Sequence, residues 1–171
     1  LLDLLRGHGL LAVSVGAGTA PISPATPITG VAYDSRRVQP GQVFVALRGK
    51  VADGVAFAQD ALARGAIAVI AETDAVPGSP WVTVSDARLA LAHAAAALSG
   101  YPSRHMQVVG ITGTNGKTTT AYLMASVFEA AGMRTGLLGT VTYRIGDEQR
   151  DATRTTPEAP DVQGLLREMV D

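Results

Sequence analysis

Between residues 110 and 120 the chain reads Gly-Ile-Thr-Gly-Thr-Asn-Gly-Lys-Thr-Thr-Thr, a run whose residue types suit the holding of a phosphate. Gly113 and Gly116 can take positive φ and bring backbone N–H groups close to an anion. A helix opening at Lys117 would add unpaired amide donors and a partial positive charge. Lys117 could then reach the β- and γ-phosphates of a nucleotide, and the Thr118 hydroxyl stands where such loops ligate Mg²⁺. The run departs from the usual G-x-x-x-x-G-K-[ST] spacing. Ile111 occupies the first glycine position and Gly113 makes a tighter variant. A phosphate loop alone does not name a reaction, since ATPases, kinases, GTPases and ligases all use one.

The elements that must position this loop follow from the hydrophobic pattern. Met106–Thr112 reads as a strand running into the loop, and Lys117–Ala131 as a helix closed by Gly132. Arg134–Tyr143 reads as a returning strand and Ile145–Thr156 as a polar connection turning at Gly146-Asp147. Val162, Leu165, Leu166, Met169 and Val170 then fall at helical spacing. Upstream, Leu1–Leu11 reads as a short amphipathic helix and Gly16–Pro27 as loop. Strands are expected at Gly30–Asp34, Val43–Leu47, Ala66–Ala71 and Trp81–Val84. Between them lie a helix over Gly54–Arg64, with Phe57, Ala58, Ala61 and Leu62 on one face, and another over Asp86–Ser99. Ser85 is the expected cap of that second helix, and Leu91, Ala94, Ala95 and Leu98 its buried stripe. Alternating strands and helices over 30–100 predict an α/β fold with a largely parallel sheet. Gly100-Tyr101-Pro102-Ser103 breaks the pattern, so two units are expected, 1–104 and 105–171.

Composition narrows the classes. The chain has 171 residues, 47% hydrophobic and 17% charged, enough apolar material for a core. The net charge of −1 carries no basic excess, so no nucleic-acid partner is expected. With no cysteine, disulfide scaffolds, thiol catalysis and cysteine-based zinc sites are excluded. No apolar run approaches the roughly 20 residues of a membrane span, so no membrane insertion is expected. His8, His93 and His105 are scattered without metal-ligand spacing, and Arg36-Arg37 reads as a solvated turn. The chain opens on Leu1 and stops at Asp171 inside a helical pattern, which reads as a fragment.

Gly113–Thr119 resembles the ATP loop of the Mur ligase family, enzymes that build the peptide of the bacterial cell-wall precursor. The order Tyr33-Asp34-Ser35-Arg36, Pro40-Gly41-Gln42-Val43-Phe44-Val45-Ala46-Leu47, Gly49, Asp53-Gly54, Ala61 and Gly65-Ala66 resembles the UDP-binding domain that two of its branches share. Leu138-Gly139-Thr140-Val141, then Arg154-Thr155-Thr156-Pro157-Glu158-Ala159-Pro160, is similar to the branch that adds the third stem-peptide residue rather than to the branch that adds D-Ala-D-Ala. A folylpolyglutamate synthetase, which has a similar loop, generally lacks the N-terminal domain. A non-catalytic nucleotide-binding module is the alternative from another class.

The resemblance implies a small N-terminal α/β UDP-binding domain followed by the truncated start of a Rossmann-like P-loop domain for ATP. Gly113, Thr114, Asn115, Gly116, Lys117, Thr118 and Thr119 would hold ATP, with Lys117 catalytic and Thr118 on Mg²⁺. Ser35 would contact the UDP-muramoyl substrate, and Thr155 and Thr156 its muramoyl-peptide part. Lys50-Val51-Ala52 stands where the family often carries a His, and no uridine contact is carried onto it. The implied partners are UDP-N-acetylmuramoyl-dipeptide and a diamino acid, diaminopimelate or lysine, in the cytoplasm. The remaining Mg²⁺ ligands, a carbamylated lysine and the amino-acid site lie downstream in the family. The 171 residues alone are therefore expected to be inactive as a ligase, with a poorly stable second unit.

Overall fold

The computed structural model describes residues 1–11, 26–49, 52–74, 76–152 and 156–171. They form two compact units, Leu1–Leu98 and Ser99–Asp171.

The first unit is built on four strands, β1 (Gly30–Ala32), β2 (Gln42–Val45), β3 (Ala68–Ala71) and β4 (Trp81–Thr83). They pair in chain order, every pair parallel. A parallel sheet must be covered on both faces, and side-chain alternation divides these strands between two cores. Val43, Val45, Ala68, Ile70 and Val82 point to one face. There they meet Leu5 of α1 (Leu2–Gly7) together with Ala87, Ala90 and Leu91 of α3 (Ala87–Leu98). Ala32, Phe44, Val69, Ala71 and Trp81 point to the other and meet Ala58 and Ala61 of α2 (Ala58–Ala63). Gly65, at φ +100, ends the segment after α2, and its close approach to Pro40 leaves no room for a Cβ without a shift.

Several expectations shift here. The helix expected over 54–64 begins as a 3-10 turn at Gly54–Phe57, which turns Phe57 outward at 45% exposure. Leu98 is likewise 45% exposed, and Ala87 and Ala90 replace it on the buried stripe of α3. Asp86 rather than Ser85 caps α3. Its carboxylate accepts from the Leu89 N–H at 2.8 Å and its carbonyl accepts the first helical bond from Ala90. Glu72 accepts from the Ala87 N–H at 3.0 Å and satisfies a further donor. The Gly16–Pro27 loop expectation falls largely outside the described residues.

The second unit carries α4 (Lys117–Ala130), a three-stranded antiparallel sheet of β5 (Gly136–Leu138), β6 (Thr142–Ile145) and β7 (Glu148–Asp151), and α5 (Ala159–Val170). The single strand expected over 134–143 is a tight hairpin. Gly139 donates to the Thr142 carbonyl at 2.9 Å and reverses the chain. The expected polar connection contains β7, because Gly146 at φ +56 closes a two-residue loop that pairs Ile145 with Glu148. The register puts Leu137, Arg144 and Gln149 on one face and Leu138, Tyr143 and Arg150 on the other. Arg144 reaches Glu129 of α4, and Arg150 reaches Glu168 of α5 at 2.8 Å, so one helix lies on each face. The strand expected at Met106–Thr112 does not form. Residues 107–113 pair with no described strand, and Val108 and Val109 are 60% and 55% exposed. An apolar run predicts extended backbone, but a ladder needs a neighbour.

His93 of α3 stacks on His8 with ring centroids 3.6 Å apart. Burial first, and then the His8 charge, push His93 below its ordinary value. The folded state thus binds fewer protons than the unfolded one, so this contribution is fully present above the ordinary histidine range and is lost as pH falls through it. The urea midpoint of the first unit should drop between about pH 7.5 and 5.5. His93→Phe, which keeps the stack, should flatten that slope; an equal slope in the variant would remove the stacked pair as its cause.

Candidate functional site

In an open parallel sheet, ligands sit beyond the carboxyl ends of the strands. At these ends in the first unit the charge is divided. Asp34, Arg36 and Arg37 follow β1 and Arg48 and Asp53 follow β2, whereas Glu72 and Asp74 follow β3 and Asp86 follows β4. The arginines at these ends lie on the β1–β2 side, where Asp34 answers Arg36 and Asp53 faces Arg48. Ser35 lies there in a 3-10 turn, Ser35–Arg37, 6% exposed. Asp34 caps the turn by accepting from the Arg36 N–H at 3.1 Å, and takes Arg36 Nε and Nη2 at 2.9 and 2.7 Å. Hydrogen bonding to the Arg36 side chain, against the opposing effect of burial, holds the Asp34 carboxyl down at about 2. This is the turn expected of Asp-Ser, with Arg36 exposed as a solvated pair.

The loop after β2 is closed by backbone. Gly49 donates to the Ala52 carbonyl and Gly54 to the Leu47 carbonyl, each at 3.0 Å. A Cβ on Gly54 would lie 2.7 Å from the Leu47 oxygen, so this position admits only glycine without a backbone shift. Asp53 caps the next turn through the Val55 N–H at 3.0 Å and faces Arg48 at 3.7 Å. The cap was legible in the Asp-Gly pair; the Arg48 contact was not. Lys50 and Val51 lie outside the described residues.

In the second unit Gly113 has φ +152 and Gly116 φ +77, so both need glycine. Gly116 caps α4 without any side-chain bond, and its carbonyl accepts from Thr120 at 2.9 Å. The amides of Lys117, Thr118 and Thr119 consequently have no partner within the helix. Residues 112–120 are exposed throughout, which places Thr114, Asn115, Thr118 and Thr119 around one open helix end. Lys117 Nζ folds back over the loop, donating to the Gly113 carbonyl at 2.6 Å and, more weakly, to Thr114 at 3.5 Å. An incoming phosphate would offer that ammonium a charged acceptor in place of two neutral ones.

Thr155 lies outside the described residues. Thr156 is exposed ahead of α5, whose N-cap is Glu158 with Pro160 in the first turn. The Thr-Thr-Pro run therefore precedes the helix rather than capping it. Ser35 belongs to the other unit. Thr118 offers a hard hydroxyl oxygen of the kind Mg²⁺ takes alongside water and phosphate oxygens. Among the described residues no group of three or more His, Asp or Glu gathers as a metal cage.

Two family descriptions match the chain: "Mur ligase family, catalytic domain" over residues 27–101 and "Mur ligase middle domain" over 111–171. The chain belongs to the Mur ligase family. It is 50% identical over 156 residues to the UDP-N-acetylmuramyl-tripeptide synthetase of Roseiflexus sp. (strain RS-1), covering 88% of this chain and 30% of that protein. It is 46% identical over 166 residues to the UDP-N-acetylmuramoyl-L-alanyl-D-glutamate–2,6-diaminopimelate ligase of Solibacter usitatus, covering 96% and 34%. Among solved structures, a ligase of the latter name aligns at TM-score 0.69 and 30% identity, over 88% of this chain and 31% of that one. A MurF ligase of Thermotoga maritima in complex with ADP aligns at 0.52 and 26%, over 85% and 30%. The Mur ligase chain thus spans about a third of the length of these relatives.

The Asp34 turn yields a prediction. Asp34→Ala removes the cap and the Arg36 partner and should cost about 1 kcal/mol in urea unfolding at pH 7. In the parent this contribution is complete above the ordinary carboxylate range and disappears only as pH falls toward about 2. Unfolding energies that match at pH 7 would show that the turn does not need its cap.

Proposed function

We propose that this Mur ligase segment supplies the nucleotide-sugar site and the ATP phosphate loop of an ATP-dependent amide ligase. The reaction would join a diamino acid to UDP-N-acetylmuramoyl-L-alanyl-D-glutamate in the cytoplasm. The observation that carries the reading is the occurrence, in one chain, of the Asp34-capped turn holding Ser35 and of an open Gly116-capped helix over which Lys117 folds. Identity to a diaminopimelate ligase across 96% of the chain supports the choice of substrate class.

The reaction moves the γ-phosphoryl group of ATP to the substrate's terminal carboxylate. The amine then attacks the acyl carbon, and phosphate leaves with the C–O bond electrons. Such transfers depend on positioning and charge neutralisation more than on covalent help. The free amides of Lys117, Thr118 and Thr119 point along the axis of α4 and donate to phosphate oxygens. Lys117 Nζ, released from the Gly113 carbonyl, neutralises charge on the β- and γ-oxygens, and Thr118 contributes one oxygen to Mg²⁺. The metal, when bound, supplies further neutralisation of the same charge. Ser35, at the carboxyl end of β1, is assigned to the UDP-muramoyl part. Thr155 and Thr156 are assigned to its peptide arm.

In a polypeptide spanning the length of the relatives, ADP release should require the UDP-muramoyl-dipeptide and a diamino acid. Release driven instead by the tripeptide and D-Ala-D-Ala would assign the chain to the other branch. Lys117→Ala should lower kcat/KM by roughly a hundredfold or more, and unchanged turnover would refute the assignment of the loop. The isolated 171 residues should release no ADP with either precursor.

A further inference from the structure

We infer that Arg144 is a positioning residue for the phosphate loop, acting through Glu129 at the opposite end of α4. The inference rests on the reading above that the loop binds nucleotide.

The loop has no walls of its own. Every residue from Thr112 to Thr120 is exposed, so its place is set by the helix it opens. That helix is thinly anchored by apolar contact. Of its 14 residues only Ala125 is fully buried, with Ala121, Met124 and Phe128 half-buried beside it on one stripe. The polar anchor lies at the far end. Glu129 Oε1 accepts from Arg144 Nη2 at 2.5 Å and from Thr135 Oγ1 at 2.5 Å, while Arg144 Nη2 also lies 3.2 Å from Thr135 Oγ1. Arg144 sits on β6 and Thr135 on the segment entering β5. The node therefore ties the last turn of α4 to two points of the antiparallel sheet.

Two features make this more than a surface pair. A carboxylate in the last turn opposes the helix dipole, so Glu129 is unfavourable there unless a cation answers it. Arg144 is the cation placed to do so, with its side chain only 21% exposed. Its Nη2 also meets acceptors on two different elements, Glu129 and Thr135, which fixes the guanidinium in one geometry. Twelve residues separate Lys117 from Glu129, about 18 Å at the helical rise, so a tilt of about 5° at the anchor moves the loop by roughly 1.6 Å. Misplacement on that scale weakens phosphate contacts made in fixed directions.

The test is equilibrium binding of a fluorescent ADP analogue to a polypeptide spanning the length of the relatives, with thermal unfolding measured in parallel. Arg144→Met should weaken binding by roughly 3- to 30-fold, and Arg144→Lys should recover part of it. Glu129→Gln should fall in the same range. The double variant, Arg144→Met with Glu129→Gln, should be no weaker than the worse single one, because both remove one interaction. Parent affinity in Arg144→Met with only a lowered Tm would overturn the inference, as would additive losses. Should Arg144→Met fail to fold, Arg144→Lys and Thr135→Val carry the test, and parent affinity in both overturns it. Lys117→Ala separates the two claims. If it abolishes binding while the Arg144 variants do not, the anchor is wrong and the loop right. If the parent does not bind, or Lys117→Ala binds equally, the loop reading fails and this inference with it.

Discussion

Three amides at the start of α4 have no acceptor within the helix, because Gly116 caps it with backbone alone and offers no side-chain oxygen. Leaving such donors open has a cost, and most helices close them with Ser, Thr, Asp or Asn. α3 shows the usual solution in the same chain, where Asp86 and Glu72 both take amides of its first turn. The contrast separates a helix start closed by side chains from one left open and exposed. Much else in the second unit follows from it. The loop is exposed, Lys117 donates to loop carbonyls, and Glu129 in the last turn of the helix meets Arg144.

The first unit solves a different problem by burial. Its parallel sheet sends alternate side chains into two apolar cores, and Trp81, Phe44 and Ile70 are essentially inaccessible. That arrangement leaves the carboxyl ends of the strands as the place where polar residues collect without cost to the core. Ser35, Arg36 and Arg48 are there because β1 and β2 end there, and the Gly49–Gly54 clasp keeps the second of these loops tight. Two units, one on a buried parallel sheet and one opening α4 on an exposed glycine loop, lie within the residues that the two Mur ligase family descriptions match.

The local features legible in the sequence are those carried by neighbouring residues. Gly113–Thr119 is legible because glycine, lysine and threonine requirements fall within seven positions, and positive φ at Gly113 and Gly116 follows from residue type. The Asp34-Ser35 turn is legible for the same reason. The misses share a cause. Phe57 and Leu98 lie on the expected helical faces but outside the cores, Phe57 because a 3-10 turn precedes its helix and Leu98 because it is the last residue of α3. Residues 134–143 read as one strand because nothing in an apolar run says that Gly139 will bond forward to Thr142.

What the sequence determined by itself is local: the parallel α/β pattern of residues 30–98 and the glycine-dependent turn that opens α4. These depend on periodicity, on backbone freedom and on side chains a few positions apart. Tertiary structure alone decided which strands find partners, so that 107–113 pairs with no described strand while 148–151 becomes one. It alone brought Glu129, Thr135 and Arg144 together from three elements. The physical reason is that hydrogen bonds and ion pairs between distant residues depend on the packing of whole elements. No spacing within a single element encodes them.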